Sequence, residues 1–162
     1  MATPAAAQDQ AVQWTHIDDQ EFNLSIDMPC APRIFRFVWS MTGVSGPAKR
    51  FTCDFGERGG VEVYAANLKP DPPGETLDMR YAVSRAVDAE VGIYNVKVDQ
   101  MRFADAPGAL GKEVYGHGQE STIHVRALAR GQHLYSILSA GPQSMGFPVE
   151  DARVMSSLSF LN

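Results

Sequence analysis

Two cysteines in 162 residues are too few to hold the chain as a disulfide scaffold, so the fold must rest on a packed core. No run approaches the roughly 20 apolar residues of a membrane helix, and the chain is not expected to be membrane-spanning. Charge is never concentrated either: the 14 Lys and Arg are scattered singly, and the formal net charge is −5. Counterion release needs a clustered basic face, so this pattern argues against nucleic acid as a partner. No acidic or basic run is long enough to act as a tail.

Catalytic signatures are missing as well. There is no GxSxG elbow, and Ser45 in "GVSGP" sits in a segment without the strand-to-helix setting that such a nucleophile needs. His16, His117, His124 and His133 show neither HxH nor HxxxH spacing, so no metal site is expected, and His117 in "YGHGQE" reads as a surface-loop residue. "ERGG" and "PGALGK" lack the phosphate-loop pattern, so no cofactor is expected. Asp18, Asp19 and Glu21 could do acid–base work but read more simply as an acidic turn. Asn23-Leu24-Ser25 is formally a glycosylation sequon, placed inside a strand pattern. Trp14, Trp39 and the Phe and Tyr residues read as core. No catalytic residue is assigned.

What remains is an ordinary globular composition, 44% hydrophobic and 20% charged, over a length that suits one domain. Residues 1–12 read as a flexible lead-in of small residues and Gln, with residues 13–162 as the domain. The lead-in also has the character of a mature start left by a cleaved export signal, since the signal's own basic and apolar regions are missing. The expectation is a periplasmic or secreted protein; the alternative is a cytoplasmic one with a disordered tail. In an exported protein Cys30 and Cys53 could close one disulfide, stabilising the fold by about 3 kcal/mol in the chain-entropy model. Two free thiols, either of which could serve as a nucleophile, are the other reading.

Hydrophobic periodicity gives the elements. "VQWTHI" reads as a short first strand, and Phe22, Leu24, Ile26 and Met28 alternate with polar residues until Pro29 ends the second. Ile34 to Met41 suggests a strand followed by a loop. Phe51, Cys53 and Phe55 alternate, Gly56 to Gly60 turn, and Val61, Val63 and Ala65 alternate again, which predicts a hairpin. After the prolines of "KPDPPGE" the period changes: Met79, Val83, Ala86, Val87 and Val91 mark an amphipathic helix closed at Gly92. "IYNVKVDQMRFADAPGALGKEVYG" reads as one or two strands. "FPVEDARVMSSLSFL" allows a short terminal helix with Pro148 at its start and Glu150 and Asp151 in its first turn. The order implies an α+β domain, a central mostly antiparallel twisted sheet with helices packed on it.

"STIHVRALARGQHLYSILSAGP" is the best candidate for chemistry. With a turn centred on Arg130-Gly131, Leu128 faces His133, Arg126 faces Tyr135 and His124 faces Ile137. Alternation then puts Ile123, Val125, Ala127, Leu134 and Leu138 on an apolar face under the helices. The opposite face carries Thr122, His124, Arg126, His133 and Tyr135. That row is either an anion-binding site built on Arg126, or a partly solvated sheet face with ordinary polar partners. A one-residue slip would exchange the two faces.

"FNLSIDMPCAP", "PGALGKEV", "IHVRALARGQHLYSILSAGP" and "VEDARVMSSLSFL" together resemble segments of small exported bacterial proteins with a PsbP/Mog-like α/β/α sandwich. The likeness runs from Trp14 to Leu161. It departs at Ala109-Leu110, at Met155 in place of a Phe, and over Ile34 to Arg50. The resemblance implies a binding or scaffolding role with no shared catalytic residues, and fold likeness alone does not settle function. The function expected is a non-enzymatic accessory or binding protein acting through an unknown protein partner in the cell envelope. The alternative is a small-ligand carrier or enzyme with a pocket around His124, Arg126, His133 and Tyr135.

Overall fold

The computed structural model describes residues 12–144 and 150–161. Most of the lead-in, Pro148 and the rest of 145–149 lie outside the described residues. The chain opens with β1 (Thr15–Asp19) and β2 (Leu24–Met28), then β3 (Arg33–Met41), β4 (Val44–Asp54), β5 (Gly60–Asn67) and the two-residue β6 (Lys69–Pro70). Helix α1 (Met79–Ile93) comes next, then β7 (Lys97–Phe103), β8 (Leu110–His117), β9 (Ser121–Arg130) and β10 (His133–Pro142). The chain closes with α2 (Asp151–Ser157) and β11 (Ser159–Phe160).

Two antiparallel sheets result. The larger has eight strands in the order β3-β4-β5-β10-β9-β8-β7 with β6 added beside β4, and the smaller is β1-β2-β11. Helix α1 lies across β8, β9 and β10 on one face of the large sheet. There Ala82, Val83, Ala86 and Val87 pack on Ile123, Val125, Ala127, Leu134 and Leu138. Each fully buried Val contributes about 1.5–3 kcal/mol relative to exposure. The small sheet and α2 cover the other face. Phe22, Leu24, Ile26 and Met28 meet Phe51, Val61, Val63, Leu128, Tyr135 and Ile137 there. The architecture is sheet-dominated, with helical layers thinner than the sequence suggests.

Several local expectations change. The segment after Met41 is the 11-residue β4 and not a loop, although it contains Gly46 and Pro47. Both residues have a place there. A Cβ on Gly46 would lie 1.9 Å from the Asn67 carbonyl oxygen, so only Gly permits that approach. Pro47 falls just beyond the last β4–β5 pair, Ala48↔Ala66, where its missing N–H is not needed by β5. Asp18 and Asp19 belong to β1 and not to an acidic turn, while Asn23, at φ 55°, forms the turn before β2.

Gly92 lies within α1 and does not close it. The left-handed residue is Asn95, at φ 47°, and the Asn95 and Val96 N–H groups donate to the Gly92 and Val91 carbonyls in a Schellman arrangement. Asp78 caps the other end, accepting from the Tyr81 N–H at 3.0 Å. At the C-terminus the short helix expected is α2, and Ser159–Phe160, which follow it, pair with β2. The β9–β10 turn is Gly131-Gln132, with Gly131 at φ 59° as a type II′ turn prefers. The register is therefore two residues from the expected one: Leu128 faces Tyr135, Arg126 faces Ile137 and His124 faces Ser139. A slip of two preserves the faces, so the apolar row still lies under α1. Not every aromatic is core: Phe35, Tyr81 and Phe103 are exposed, and both tryptophans are half-buried.

Cys30, just past β2, is bonded to Cys53 of β4, tying the small sheet to the large one across the core. The bond closes a loop with a sequence separation of 23 residues. Reduction, or the Cys30→Ser/Cys53→Ser pair, should lower stability by about 3 kcal/mol without changing the fold. A urea midpoint that shifts down in reductant, with a slope that is equal or steeper because the unlinked chain exposes more surface, is the expected reading.

Candidate functional site

The four candidates of the β9–β10 hairpin share a face, but that face is covered. His133 is half-buried with its ring 6.1 Å from that of Tyr135, and burial pulls its pKa down. The Tyr135 hydroxyl donates to the Phe22 carbonyl at 2.8 Å, and burial pushes it up to about 12. Arg126 donates through Nη1 to the Met155 carbonyl at 3.0 Å, while its buried Nε has no partner. These two side chains anchor the covering layer, one to the turn before β2 and the other to α2. The four do not converge on a common cavity, and none lines the main clefts of the surface.

His124 belongs to a different constellation. It is 3% exposed, and its ring stacks on Tyr115 with centroids 4.0 Å apart. Its Nε2 lies 2.6 Å from Glu113 Oε1 on β8, and its Nδ1 lies 2.8 Å from Asp151 Oδ2 at the start of α2. Donating to both carboxylates requires N–H on both nitrogens, the imidazolium form; with a neutral ring, one carboxyl would have to carry the proton. Glu113 also accepts from Arg102 Nε at 2.6 Å. Burial would push the Glu113 carboxyl up, but the hydrogen bonds from His124 and Arg102 outweigh it and hold the group below the usual range. A cleft of about 530 Å³ reaches the outer side of this group, lined by Arg102, Glu113 and Tyr115 among others.

Ser139, the cross-strand neighbour of His124, is fully buried and its hydroxyl has no hydrogen-bond partner. A Ser beside a His invites a nucleophile reading, yet both imidazole nitrogens already face carboxylates and neither can take the Ser139 proton. Cys30 and Cys53 are bonded to each other, so neither offers a free thiol. The arrangement acts as a clamp, pinning α2 to β8 and β9. Two further links help: Arg153 of α2 pairs with Asp27 at 2.9 Å and stacks on Trp14, and the Asp27 N–H donates to Ser157 Oγ.

A second group of ionisable side chains sits on the α1 face. Glu90 of α1 is 8% exposed and turned onto the sheet, near Glu62 of β5. Burial, reinforced by the Glu62 charge and only partly offset by Arg50, pushes the Glu90 carboxyl up to about 7. Arg50 Nε is 3.1 Å from Glu62 Oε1, and burial with the Glu90 charge raises Tyr64 and Tyr94 as well. Glu62 and Tyr94 line a cleft of about 620 Å³ at the C-terminal end of α1.

His16 and His117 lie elsewhere. His16 in β1 bonds Asp27 at 2.8 Å, and His117, at the end of β8 and not in a loop, bonds Asp99 at 2.6 Å. Among the described residues no three His, Cys, Asp or Glu side chains are placed to hold a metal ion together.

Sequence reasoning does not single out Glu113, Asp151, Glu62 or Glu90 as site residues. For Glu90 a signal exists: it continues the buried stripe Val83, Ala86, Val87 at helical spacing, which puts a carboxylate where an apolar residue belongs. Asp151 carries no such signal, because its partner is 27 positions away.

No family model matches the chain, and no curated protein matches it. Among solved structures, the solution structure of cyanobacterial PsbP (CyanoP) from Synechocystis sp. PCC 6803 is similar, with a TM-score of 0.56 over 98% of each chain at 14% identity. The chain therefore has a PsbP-like fold. At that identity the likeness speaks for architecture and leaves activity to the site itself. No helix among the described residues is long and apolar enough to cross a membrane.

Two measurements check the electrostatics. His124→Ala should cost about 3–5 kcal/mol in urea unfolding, because it leaves the Glu113 and Asp151 carboxylates facing each other in a buried site. Glu90 binds its proton more tightly in the folded chain than in the unfolded one. The stability that this difference provides is complete below about pH 4.5 and is lost as pH rises to about 7. Glu90→Gln should abolish that decline and leave the protein roughly 3 kcal/mol more stable than the parent at pH 8.

Proposed function

We propose that this protein is a non-enzymatic accessory protein of the cell envelope, periplasmic or secreted, which binds a partner protein that adds a strand to β3. The observation that carries the reading is the β3 edge. Nine residues long, it ends the strand order of the large sheet, and Ile34, Phe35 and Val38 are more than half exposed along it. Unpaired edges are normally blunted by charge, bulges or shortness, since a bare strand templates pairing with another chain. The opposite edge, β7, also exposes Val98, Met101 and Phe103, but Lys97, Asp99 and Arg102 stand among them and its register shifts between Val98 and Gln100. On β3 the charges are Arg33 at the end and Arg36, which Glu21 neutralises at 2.7 Å. Strand addition would satisfy the free backbone groups and cover the three apolar side chains.

The disulfide supports export, because such bonds persist in oxidising compartments. The PsbP-like fold is compatible with an accessory role, and residues 13–162 would act as one domain.

A photo-crosslinking residue at Val38, introduced in cells, should give one discrete protein adduct, and the same residue at Tyr81 on α1 should not. Phe35→Lys with Val38→Lys should abolish the adduct while leaving the melting temperature within a few degrees of the parent, as exposed substitutions do. No adduct at Val38, or equal adducts at both positions, would remove the reading.

A further inference from the structure

Strand β3 can serve as its own complement. It joins β4 across Thr42-Gly43, and Met41↔Val44 is the pair that flanks this two-residue turn. In such a hairpin the flanking pair exchanges both backbone bonds, and the pattern then alternates along the strands. The backbone groups of Arg33, Phe35, Phe37, Trp39 and Met41 therefore serve β4, and those of Ile34, Arg36, Val38 and Ser40 point to the free edge. Pro47 agrees with this phase, since it stands opposite Val38, where no bond to β3 is called for. Side chains alternate as well. Phe37, Trp39 and Met41 pack against the core beneath α1, so Phe35, 53% exposed, faces the same way. Ile34, Arg36 and Val38 face the other side, where Glu21 holds Arg36.

We infer that the strand added at β3 is the β3 of a second copy of this chain, an inference that rests on the strand-addition reading, with the two copies related by a two-fold axis at Phe37. Phe37 is the midpoint of Arg33–Met41, so an axis there pairs all nine residues. Phe37 then meets the second copy's Phe37, and Phe35 meets its Trp39, which lays the aromatic row against its own reverse. Arg33 falls opposite Met41 and Arg36 opposite Val38, so no arginine directly faces another. An axis at Arg36 would set two guanidinium groups opposite each other, and an axis at Phe35 or Val38 would shorten the pairing. With the axis at Phe37 the two Arg36 side chains are diagonal neighbours, and each is neutralised by its own Glu21. Assembly stops at two, because an isologous interface uses the same edge of both copies and the charged, irregular β7 does not extend it.

The test is sedimentation equilibrium of the purified full chain over about a hundredfold range of concentration, with the photo-crosslinking residue at Val38 as a second readout. A concentration-dependent doubling of mass is expected, with a self-adduct that maps to β3 of the second copy. Val38→Lys, at a position 70% exposed and therefore compatible with folding, should weaken dimerisation about a hundredfold, since the axis places the lysine in the interface twice. Met101→Lys on β7 should leave the dimer unchanged. A purified chain that stays monomeric while Val38 in cells gives an adduct to a different polypeptide would overturn the second copy and leave strand addition standing. No adduct in cells or in the purified chain would remove both. A dimer unaffected by Val38→Lys, one lost in Met101→Lys, or a self-adduct mapping outside β3 would also overturn the inference.

Discussion

The central strands of the large sheet are apolar on both faces, and a chain of this size must cover both. Val61, Val63 and Ala65 of β5 look one way while Tyr64 and Ala66 look the other. Leaving either face in water would forfeit the burial that holds a domain together, since the net stability is a small difference between large terms. One helix is long enough to close the first face. The second is closed by small pieces from both ends of the chain: β1 and β2 from the beginning, α2 and β11 from the end. The distinctive features of the protein arise from how those pieces are held in place.

They are held by polar ties as much as by packing. A seven-residue helix has little intrinsic stability. Its position depends on His124 with Asp151, on Arg126 with the Met155 carbonyl, and on Arg153 with Asp27. The disulfide and the Tyr135 hydroxyl do the same for the segment around β2. Residues that look like a site from the sequence thus work as fasteners. A row of Thr, His, Arg, His and Tyr on a sheet face has two readings in one dimension, a binding surface or a solvated one. The structure supplies a third, the polar margin of an interface between layers.

Away from these fasteners, the β3 edge exposes Ile34, Phe35 and Val38, and an acidic cleft opens at the end of α1. The buried Glu90 lowers stability at neutral pH, and such a cost is often found beside functional surfaces.

Alternation along β2, the Phe51–Ala65 hairpin and the β9–β10 hairpin is readable because period-two patterning is a local property, and so is the stripe of α1. The two-residue difference in the hairpin register does no harm, since it returns every side chain to its own face. The end of α1 is not legible in the same way: Asn95 and not Gly92 takes the left-handed conformation, a choice that the backbone around Val96 makes. Nor is β4, because Gly and Pro usually end strands; here the close approach of Asn67 and the departure of β5 make both residues acceptable.

By itself the sequence determined which faces are oily, where the long helix runs and that charge is dispersed, because each of these is written within a few residues of chain. Only the tertiary structure decided that the polar face of the last hairpin is roofed over and that His124 lies between Glu113 and Asp151. It also decided that Glu90 faces Glu62. Those facts join residues 11 to 113 positions apart, and the energies that bring them together belong to the closing of layers, which no local pattern encodes.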